Sequence, residues 1–461
     1  MSHRLPEPES PDTAATPPPR EPAGHAHPHS HGHSHASGPV ENLAHYARPL
    51  VLTVLALTAI AMAAGAVLVW PSHSGDRPLP TRFQSADGGP ITTVDATVVS
   101  QTRADCATAG DGTLSAEFPQ IPSTGGTCIS SIARIDSGPD AGRYTVLAVP
   151  TNASLTDDDR PGGTGSTADL DPDEPVAGQP TLRVDQRIRL AEVVAPDGRQ
   201  RYSFHDYRRG TGLLWWALAF VIAVIAVATW RGLRAVVGLA FAFGVLGYFT
   251  LPSILDGNSP VTVAVISSAA ILFPVIFLAH GLNMRAASAL LGTLLSLGLA
   301  AGLSHAAVSS LTLTGLSGES TRSLQVYQGS ISLSGLLLAG FVIGTLGVLN
   351  DVTITQASTT FELAALPGQS RLSAFRGAMR VGRDHIASTV YTLVFAYAGS
   401  ALPLLLLFSV AGQPISGLLT GEEVAIELAR TFVGGIALAL SVPITTAIAT
   451  GLVSTPRDTP A

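Results

Sequence analysis

Acidic and hydroxyl side chains interrupt two long apolar runs between Leu336 and Val410. Ionisable groups this close to hydrocarbon are energetically costly, so they usually pair, face a protein interior or serve a function. If the helix of the first run continues past residue 350, one of its faces carries four polar residues at positions i, i+4, i+7 and i+11: Asp351, Thr355, Ser358 and Glu362. The second run carries a matching stripe that starts next to Arg383: Asp384, Ser388, Tyr391 and Thr392.

Two such stripes, turned toward each other, would form a hydrophilic passage through the membrane. Carboxylates in such a passage bind a cation or carry a proton, and hydroxyls replace part of the hydration shell of an ion. His385 follows Asp384 directly and is well placed to exchange a proton. A structural interpretation is also open, in which Asp351 and Asp384 lie at headgroup depth. Both would then form ion pairs with Arg380 and Arg383.

Two other groups of residues could do chemistry. Glu427 and Arg430 lie three residues apart in the last apolar run, close enough to pair on one face of a helix. Near the N-terminus, six histidines alternate with small residues: His25, His27, His29, His31, His33 and His35. On a flexible chain these imidazoles could bind a divalent Zn, Ni or Cu ion, and the tract is also consistent with low-complexity sequence of incidental metal affinity. No other cofactor is predicted.

Small and polar residues around these positions form two blocks. The first is Gly344, Gly347, Asn350, Asp351, Ala357, Ser358, Glu362, Leu363, Gly382, Arg383, Asp384, Thr392, Leu393, Ala396, Tyr397 and Gly399, and the second is Glu427, Arg430, Thr431, Gly434, Val442, Pro443, Thr445 and Thr446. Together they resemble the signature of the YibE/F family of bacterial multi-pass membrane proteins, from Val94 to Val453. The resemblance implies an integral membrane protein, often regarded as a transporter. The chain departs from the family pattern at residues 385–388, where the family more often has an apolar pair followed by Gly-Thr.

The composition also indicates a membrane protein. The 461-residue chain is 46% hydrophobic and only 13% charged, whereas soluble domains contain about 25% charged residues. All 26 basic residues are arginine, which is typical of a GC-rich bacterial genome. No basic stretch has interleaved aromatic residues, so no nucleic-acid partner is predicted.

The expected partners are the lipid bilayer, an unknown small solute or ion and, as an open alternative, a second copy of the chain. The chain has no nucleotide-binding loop and no H-E-x-x-H motif, so it is not expected to be an enzyme.

Eight apolar runs are long enough to cross a hydrocarbon core of about 30 Å: 49–70, 213–230, 233–251, 261–279, 286–308, 331–350, 386–410 and 428–452. Arginines cluster in alternate short loops, which predicts a plasma-membrane protein with both termini in the cytoplasm. The predicted fold class is an all-α polytopic membrane bundle of eight transmembrane helices with a small extracytoplasmic β domain. The predicted segments are a disordered His/Pro-rich tail (1–47), the first transmembrane helix (48–70), the β domain (71–212), a seven-helix domain (213–453) and a short cytoplasmic tail (454–461).

Four strand-like runs between the first two spans predict the β domain, with a partly open barrel as one arrangement: 92–99, 143–149, 182–193 and 200–207. Cys106 and Cys128 are the only cysteines and both fall in this exported segment, which predicts a disulfide. Two functions remain open on these grounds. One is a permease with a polar path along the sixth and seventh spans, and the other is a non-transport scaffold or envelope sensor that acts through its β domain.

Overall fold

The structure is a computed structural model that describes residues 43–44, 46–72, 79, 83–85, 89–106, 110–155, 170–194, 200–412 and 414–454. The histidine-rich tract, most of the acidic loop at 156–174 and the C-terminal residues beyond 454 lie outside this part of the chain. The predictions made for those segments stay predictions.

Helices account for most of the described chain. They are α1 (Ala47–Leu68), α2 (Gly210–Val245), α3 (Leu251–Leu255), α4 (Pro260–His280), α5 (Met284–Ser310), α6 (Glu319–Tyr327), α7 (Leu333–Ala365), α8 (Arg371–Ser400), α9 (Leu402–Val410), α10 (Ile415–Thr420) and α11 (Glu422–Leu452). A π-helical turn, Leu246–Thr250, joins α2 to α3. The helix α7 runs 15 residues beyond the predicted end of the sixth span at residue 350, so it carries the whole polar stripe that follows Asp351.

Six of the helical segments in the described chain are long and apolar enough to cross a membrane: α1, the run from α2 through α3, α4, α5, α7 and α11. The pair α8 and α9, bent by 55° between Ser400 and Leu402, would make a seventh. The prediction of a multi-pass membrane protein with a small β sheet between its first two apolar helices is therefore confirmed, apart from the number of spans. Helix length and composition alone give six or seven crossings, where the sequence predicts eight.

Part of the difference in number comes from α2, which folds back on itself at Thr229. This residue has a φ of 52°, outside the helical region. A Cβ on Gly232 would lie 2.5 Å from the carbonyl oxygen of Val224, although residues eight apart in a straight helix are separated by about 12 Å. The chain therefore reverses within one turn, at the position where the sequence places the boundary between the second and third spans.

The core of the helical part lies between α5, α7 and α11. Its largest fully buried side chains include Leu290 and Leu297 on α5, Phe341 and Leu349 on α7, and Leu438 on α11. Helix approach depends on small residues, as is usual where lipid removes the hydrophobic driving force between helices. The shortest such approach joins α5 and α11, because a Cβ on Gly292 would lie 2.3 Å from Thr445 Oγ1.

The first and last helices meet at one end of the bundle. The hydroxyl of Tyr46 donates to the carbonyl of Gly451 at 2.9 Å, and the N–H of Ala44 donates to the carbonyl of Leu452 at 3.1 Å. The opposite end of α1 is bonded to α3, where the Ser253 hydroxyl donates to the Val69 carbonyl at 2.6 Å. The start of α1 and the end of α11 therefore lie on the same side.

The β domain is one open antiparallel sheet in the described chain, with strand order β2-β4-β3-β1-β5-β6. Its strands are β1 (Thr93–Ala104), β2 (Leu114–Ser115), β3 (Cys128–Ile135), β4 (Tyr144–Pro150), β5 (Arg187–Val194) and β6 (Gln200–Tyr207). The two edges meet at one point, because the N–H of Tyr202 on β6 donates to the carbonyl of Gly112, just before β2, at 2.8 Å. The predicted disulfide between Cys106 and Cys128 is confirmed.

The sheet has a packed face, which is seen in the first half of β1, before the register shift between Val98 and Ser100. Alternate residues of β1 are buried, namely Val94, Ala96 and Val98, as expected for a strand with one packed face. Tyr202 is also buried, and its hydroxyl donates to Asp140 Oδ2 at 2.7 Å. Burial and this hydrogen bond raise the pKa of Tyr202, so the side chain stays a neutral donor over the whole physiological range.

Candidate functional site

The predicted stripe on α7 lies on the outer surface of the helical bundle. Asp351, Thr355 and Glu362 are exposed, and Ser358 is half-buried. Each acid contacts a basic residue of another helix. Glu362 Oε1 lies 3.2 Å from Arg285 Nη1 at the start of α5, and Asp351 Oδ2 lies 3.9 Å from His385 Nε2 on α8.

The stripe on α8 is likewise on the surface of the bundle. Its members are all exposed: Arg383, Asp384, Ser388, Tyr391 and Thr392. In the described chain, no ion pair joins Asp351 or Asp384 to Arg380 or Arg383. The contact between the two stripes is made by the imidazole of His385, since His385 and Asp351 lie on facing sides of α8 and α7.

His385 lies on α8 beside its polar stripe and is the residue of α8 that approaches Asp351 on α7. Its side chain is 35% exposed, but its Nε2 atom is buried and has no hydrogen-bond partner. The 3.9 Å separation from the Asp351 carboxylate is longer than a hydrogen bond. A small movement of either helix, or one bridging water, would connect the imidazole to the carboxylate.

The opposite face of α7 carries a second polar stripe that the sequence analysis missed. Thr353, Gln356 and Thr360 are all buried. At about 100° per residue they lie roughly 180° around the helix from Asp351. The signal was present in the sequence as polar residues at i, i+3 and i+7. It was hidden because the acids define a stronger stripe in the same segment, and because hydroxyls that bond their own helix need no further partner.

Gln356 connects three helices through its side-chain amide. Its Nε2 donates to the Ala378 carbonyl on α8 at 2.9 Å and to Thr446 Oγ1 on α11 at 2.7 Å. The amide is buried, with 3% of the residue exposed. Gly382 leaves the room for this amide, because a Cβ there would lie 2.8 Å from Gln356 Oε1.

Hydroxyls continue this polar interior toward α5. Thr293 Oγ1 on α5 lies 2.6 Å from Thr353 Oγ1 on α7. The hydroxyls of Ser296 and Thr445 and the side-chain oxygen of Asn350 are buried without a hydrogen-bond partner. Unpaired polar atoms are expensive in a low-dielectric interior, so this part of the bundle favours water or a polar ligand over hydrocarbon.

Glu427 and Arg430 form an ion pair on α11, with Oε1 and Nη1 3.5 Å apart. The guanidinium also lies over two aromatic rings, 5.5 Å from the centre of Phe341 and 5.6 Å from that of Tyr397. Cation–π contact and pairing together lower the cost of placing an arginine in an apolar setting. The guanidinium of Arg430 therefore connects α11 to Phe341 on α7 and Tyr397 on α8.

The described chain contains no group of three or more His, Cys, Asp or Glu side chains suited to holding a metal. The six histidines from His25 to His35 lie outside it. Metal binding by that tract stays a prediction.

A comparison with family models decides the class of this protein. The model described as YibE/F-like protein matches residues 216–455, which is more than half of the chain. The chain belongs to the YibE/F-like family. The match begins within α2, includes α3 to α11 and leaves the β domain outside. The wider resemblance expected from Val94 onward is therefore confirmed only for the helical part. Neither a curated protein nor a solved structure matches the chain.

Proposed function

We propose that this YibE/F-like protein is a permease for an ion or small solute, with a polar path along α7 and α8. The observation that carries the proposal is the contact between Asp351 and His385, a carboxylate and an imidazole on two neighbouring helices. Imidazole gains and loses a proton near neutral pH, and paired titratable groups within membrane spans are typical of ion and proton routes. Thr355 and Ser388, one turn away on each helix, supply hydroxyls next to this pair.

The buried stripe around Gln356 supports the proposal by placing polar side chains between the helices of the bundle. Most of its hydroxyls bond carbonyls of their own helix, as Thr360 does with the Gln356 carbonyl at 2.7 Å. Such a bond stays within α7, whereas the contact of Thr353 with Thr293 at 2.6 Å joins α7 to α5. The amide of Gln356 then acts as the specific connection between α7, α8 and α11.

The topology that belongs to this proposal has eight spans, with both termini in the cytoplasm and the β domain outside. In this topology the reversal at Thr229 divides α2 into two spans, and the bent pair α8 and α9 is counted as one further span. The hydrogen bond from Tyr46 to Gly451 supports an even number of crossings, because it brings the first and last helix ends to one side.

Flux in proteoliposomes tests the permease function. Vesicles that contain a trapped pH-sensitive dye receive, in turn, gradients of monovalent cations, divalent cations, inorganic anions and small organic acids. We expect at least one gradient to change the internal pH when the protein is present. Asp351→Asn and His385→Gln should abolish this change, whereas Glu423→Gln, which removes a carboxylate at the start of α11, should retain it.

The contrary result is a pH response no larger than that of protein-free vesicles for every gradient, although the protein is folded and inserted. That result would favour the second candidate function, a scaffold or sensor that acts through the β domain. The open sheet supports this alternative, since it lies outside the family match, in the segment between the first two apolar helices.

A further inference from the structure

A polar cavity of ≈ 710 Å³ lies where α2 folds back on itself. Its walls are the turn after Thr229, the end of α4, the start of α5 and the last part of α7. The lining side chains that matter here are Arg231, Arg234, His280, Arg285, Ser358 and Glu362. The volume is typical of small-molecule sites, which measure about 300–1,000 Å³.

The charges around this cavity are unbalanced. Arg285 pairs with Glu362 at 3.2 Å. No carboxylate of the described chain lies within ion-pair distance of Arg231 or Arg234. Arg234 rests with its guanidinium carbon 5.8 Å from the ring centre of Trp230, which orients the side chain without neutralising it. The positive charge of two arginines therefore remains.

Short cytoplasmic loops are rich in arginine, which explains why arginine occurs at these three positions. This preference does not explain why three arginines from two separate segments line one cavity, since like charges at short range repel. Arg234 and Arg285 are moreover half-buried, where solvent screens them less than at an open surface. An anion between the guanidinium groups would offset this repulsion.

The backbone that carries these side chains is held in place. The reversal at Thr229 depends on Gly232, because a Cβ there would lie 2.5 Å from the Val224 carbonyl oxygen. Asn283 fixes the opposite wall: its Oδ1 accepts from the Ala286 N–H at 2.8 Å and its Nδ2 donates to the His280 carbonyl at 2.8 Å. The arginines therefore project from a preformed site.

We propose that this cavity binds a phosphate group, either in the headgroup of an anionic phospholipid or in a free phosphate-bearing anion. The planar guanidinium group matches two phosphate oxygens at once, which a point charge does not. Arg231 and Arg234 supply the charge, and Asn283 and Ser358 offer polar groups at the cavity wall. The site is separate from the Asp351–His385 pair and does not depend on transport.

Thermal unfolding of the purified full-length protein in a neutral detergent tests the site. One arm adds inorganic phosphate, with chloride at equal ionic strength as the reference. The other adds phosphatidylglycerol to the micelles, with a neutral glycolipid as the reference. We expect a rise in Tm that saturates in at least one arm. Phosphate alone identifies a free anion as the ligand, phosphatidylglycerol alone identifies a lipid headgroup, and a response in both arms identifies the shared phosphate group.

Two double variants distinguish a specific binding site from a general effect of positive charge. Arg231→Gln combined with Arg234→Gln should weaken the apparent affinity about tenfold or more, since each arginine contributes charge-assisted hydrogen bonds. Arg376→Gln combined with Arg380→Gln removes the same charge from exposed positions on α8 and should leave the affinity within about twofold. If the first pair does not fold, Arg231→Gln alone gives the same test at an exposed side chain. No stabilisation in either arm, or an equal loss in both double variants, overturns the proposal.

Discussion

Replacing Gln356 with leucine removes the amide that joins α7 to α8 and α11. Leucine is apolar and similar in size, so the change deletes polar contacts without leaving a large cavity. The two hydrogen bonds lost are those to the Ala378 carbonyl and the Thr446 hydroxyl. Thr446 keeps its own bond to the Val442 carbonyl at 2.7 Å, so no buried donor is left unpaired.

The expected loss follows from measured hydrogen bonds between transmembrane helices, which contribute about 0.6 kcal/mol on average and up to about 1.7 kcal/mol. For two bonds, Gln356→Leu should lower the free energy of unfolding by about 1–3 kcal/mol. Thr355→Val is the matched control on the adjacent residue. Thr355 is exposed and its hydroxyl donates to the Asp351 carbonyl of its own helix, so its loss should change stability by less than about 0.5 kcal/mol.

Unfolding in mixed micelles with increasing sodium dodecyl sulfate, followed by tryptophan fluorescence, measures both variants under the same conditions. We expect a clear difference in stability between these two variants of neighbouring residues on opposite faces of α7. This expectation would be refuted if Gln356→Leu matched the wild type, or if Thr355→Val were destabilised by the same amount.

Two further predictions concern packing and the β domain. Gly292→Ala places a Cβ 2.3 Å from Thr445 Oγ1 and should destabilise the protein by about 1–3 kcal/mol through overpacking, whereas Gly347→Ala, with no atom within 4 Å, should be neutral in the same titration. Equal effects would mean that α5 and α11 do not approach closely. Cys106→Ser opens a loop between cysteines 22 residues apart and should destabilise the β domain by about 3 kcal/mol. Hydrogen exchange in β3 measures this loss, and unchanged protection would contradict it.

The sequence predicts the membrane-embedded elements well because the cost of burying charge in lipid leaves a strong pattern. The boundary near residue 230 is an example, since Arg231 and Arg234 interrupt the apolar run and the chain turns there. The bend after Ser400 was not predicted. The apolar run continues through it, and neither hydropathy nor periodicity reports the direction of a helix.

The β domain contains a strand that the sequence patterns did not predict. The strand β3 was missed because it has no simple alternation: Ser130 and Ser131 are both buried, and residues on both of its faces pack against other parts of the domain. The hydroxyl of Ser131 is satisfied by Gln101 Nε2 at 3.0 Å, a partner that is 30 residues away in the chain. Long-range partners of this kind make a polar residue suitable for a core, and a single sequence does not reveal them.

The candidate site was predicted in part for the same reason. The acids of α7 and the stripe of α8 were identified by helical spacing, which is a local property. Which residue faces Asp351 depends on the rotation of α8 against α7, and this rotation is set by packing such as that of Gly382, where a Cβ would lie 2.5 Å from Val442 Cγ1. Arginine was one expected partner, and the structure has His385 there instead.

The most direct test of the proposed path asks whether its hydroxyl positions lie in water. The chain has only two cysteines, and both are in the disulfide, so Thr355→Cys and Ser388→Cys introduce single reactive thiols. Phe395→Cys is the control, an apolar position on α8 that is 71% exposed on the bundle surface. Thiolates form and react in water but not in hydrocarbon. In proteoliposomes, a charged methanethiosulfonate reagent should modify Thr355→Cys and Ser388→Cys at least about tenfold faster than Phe395→Cys. Equal, slow modification at all three positions would place the stripes against lipid and contradict a polar path along α7 and α8.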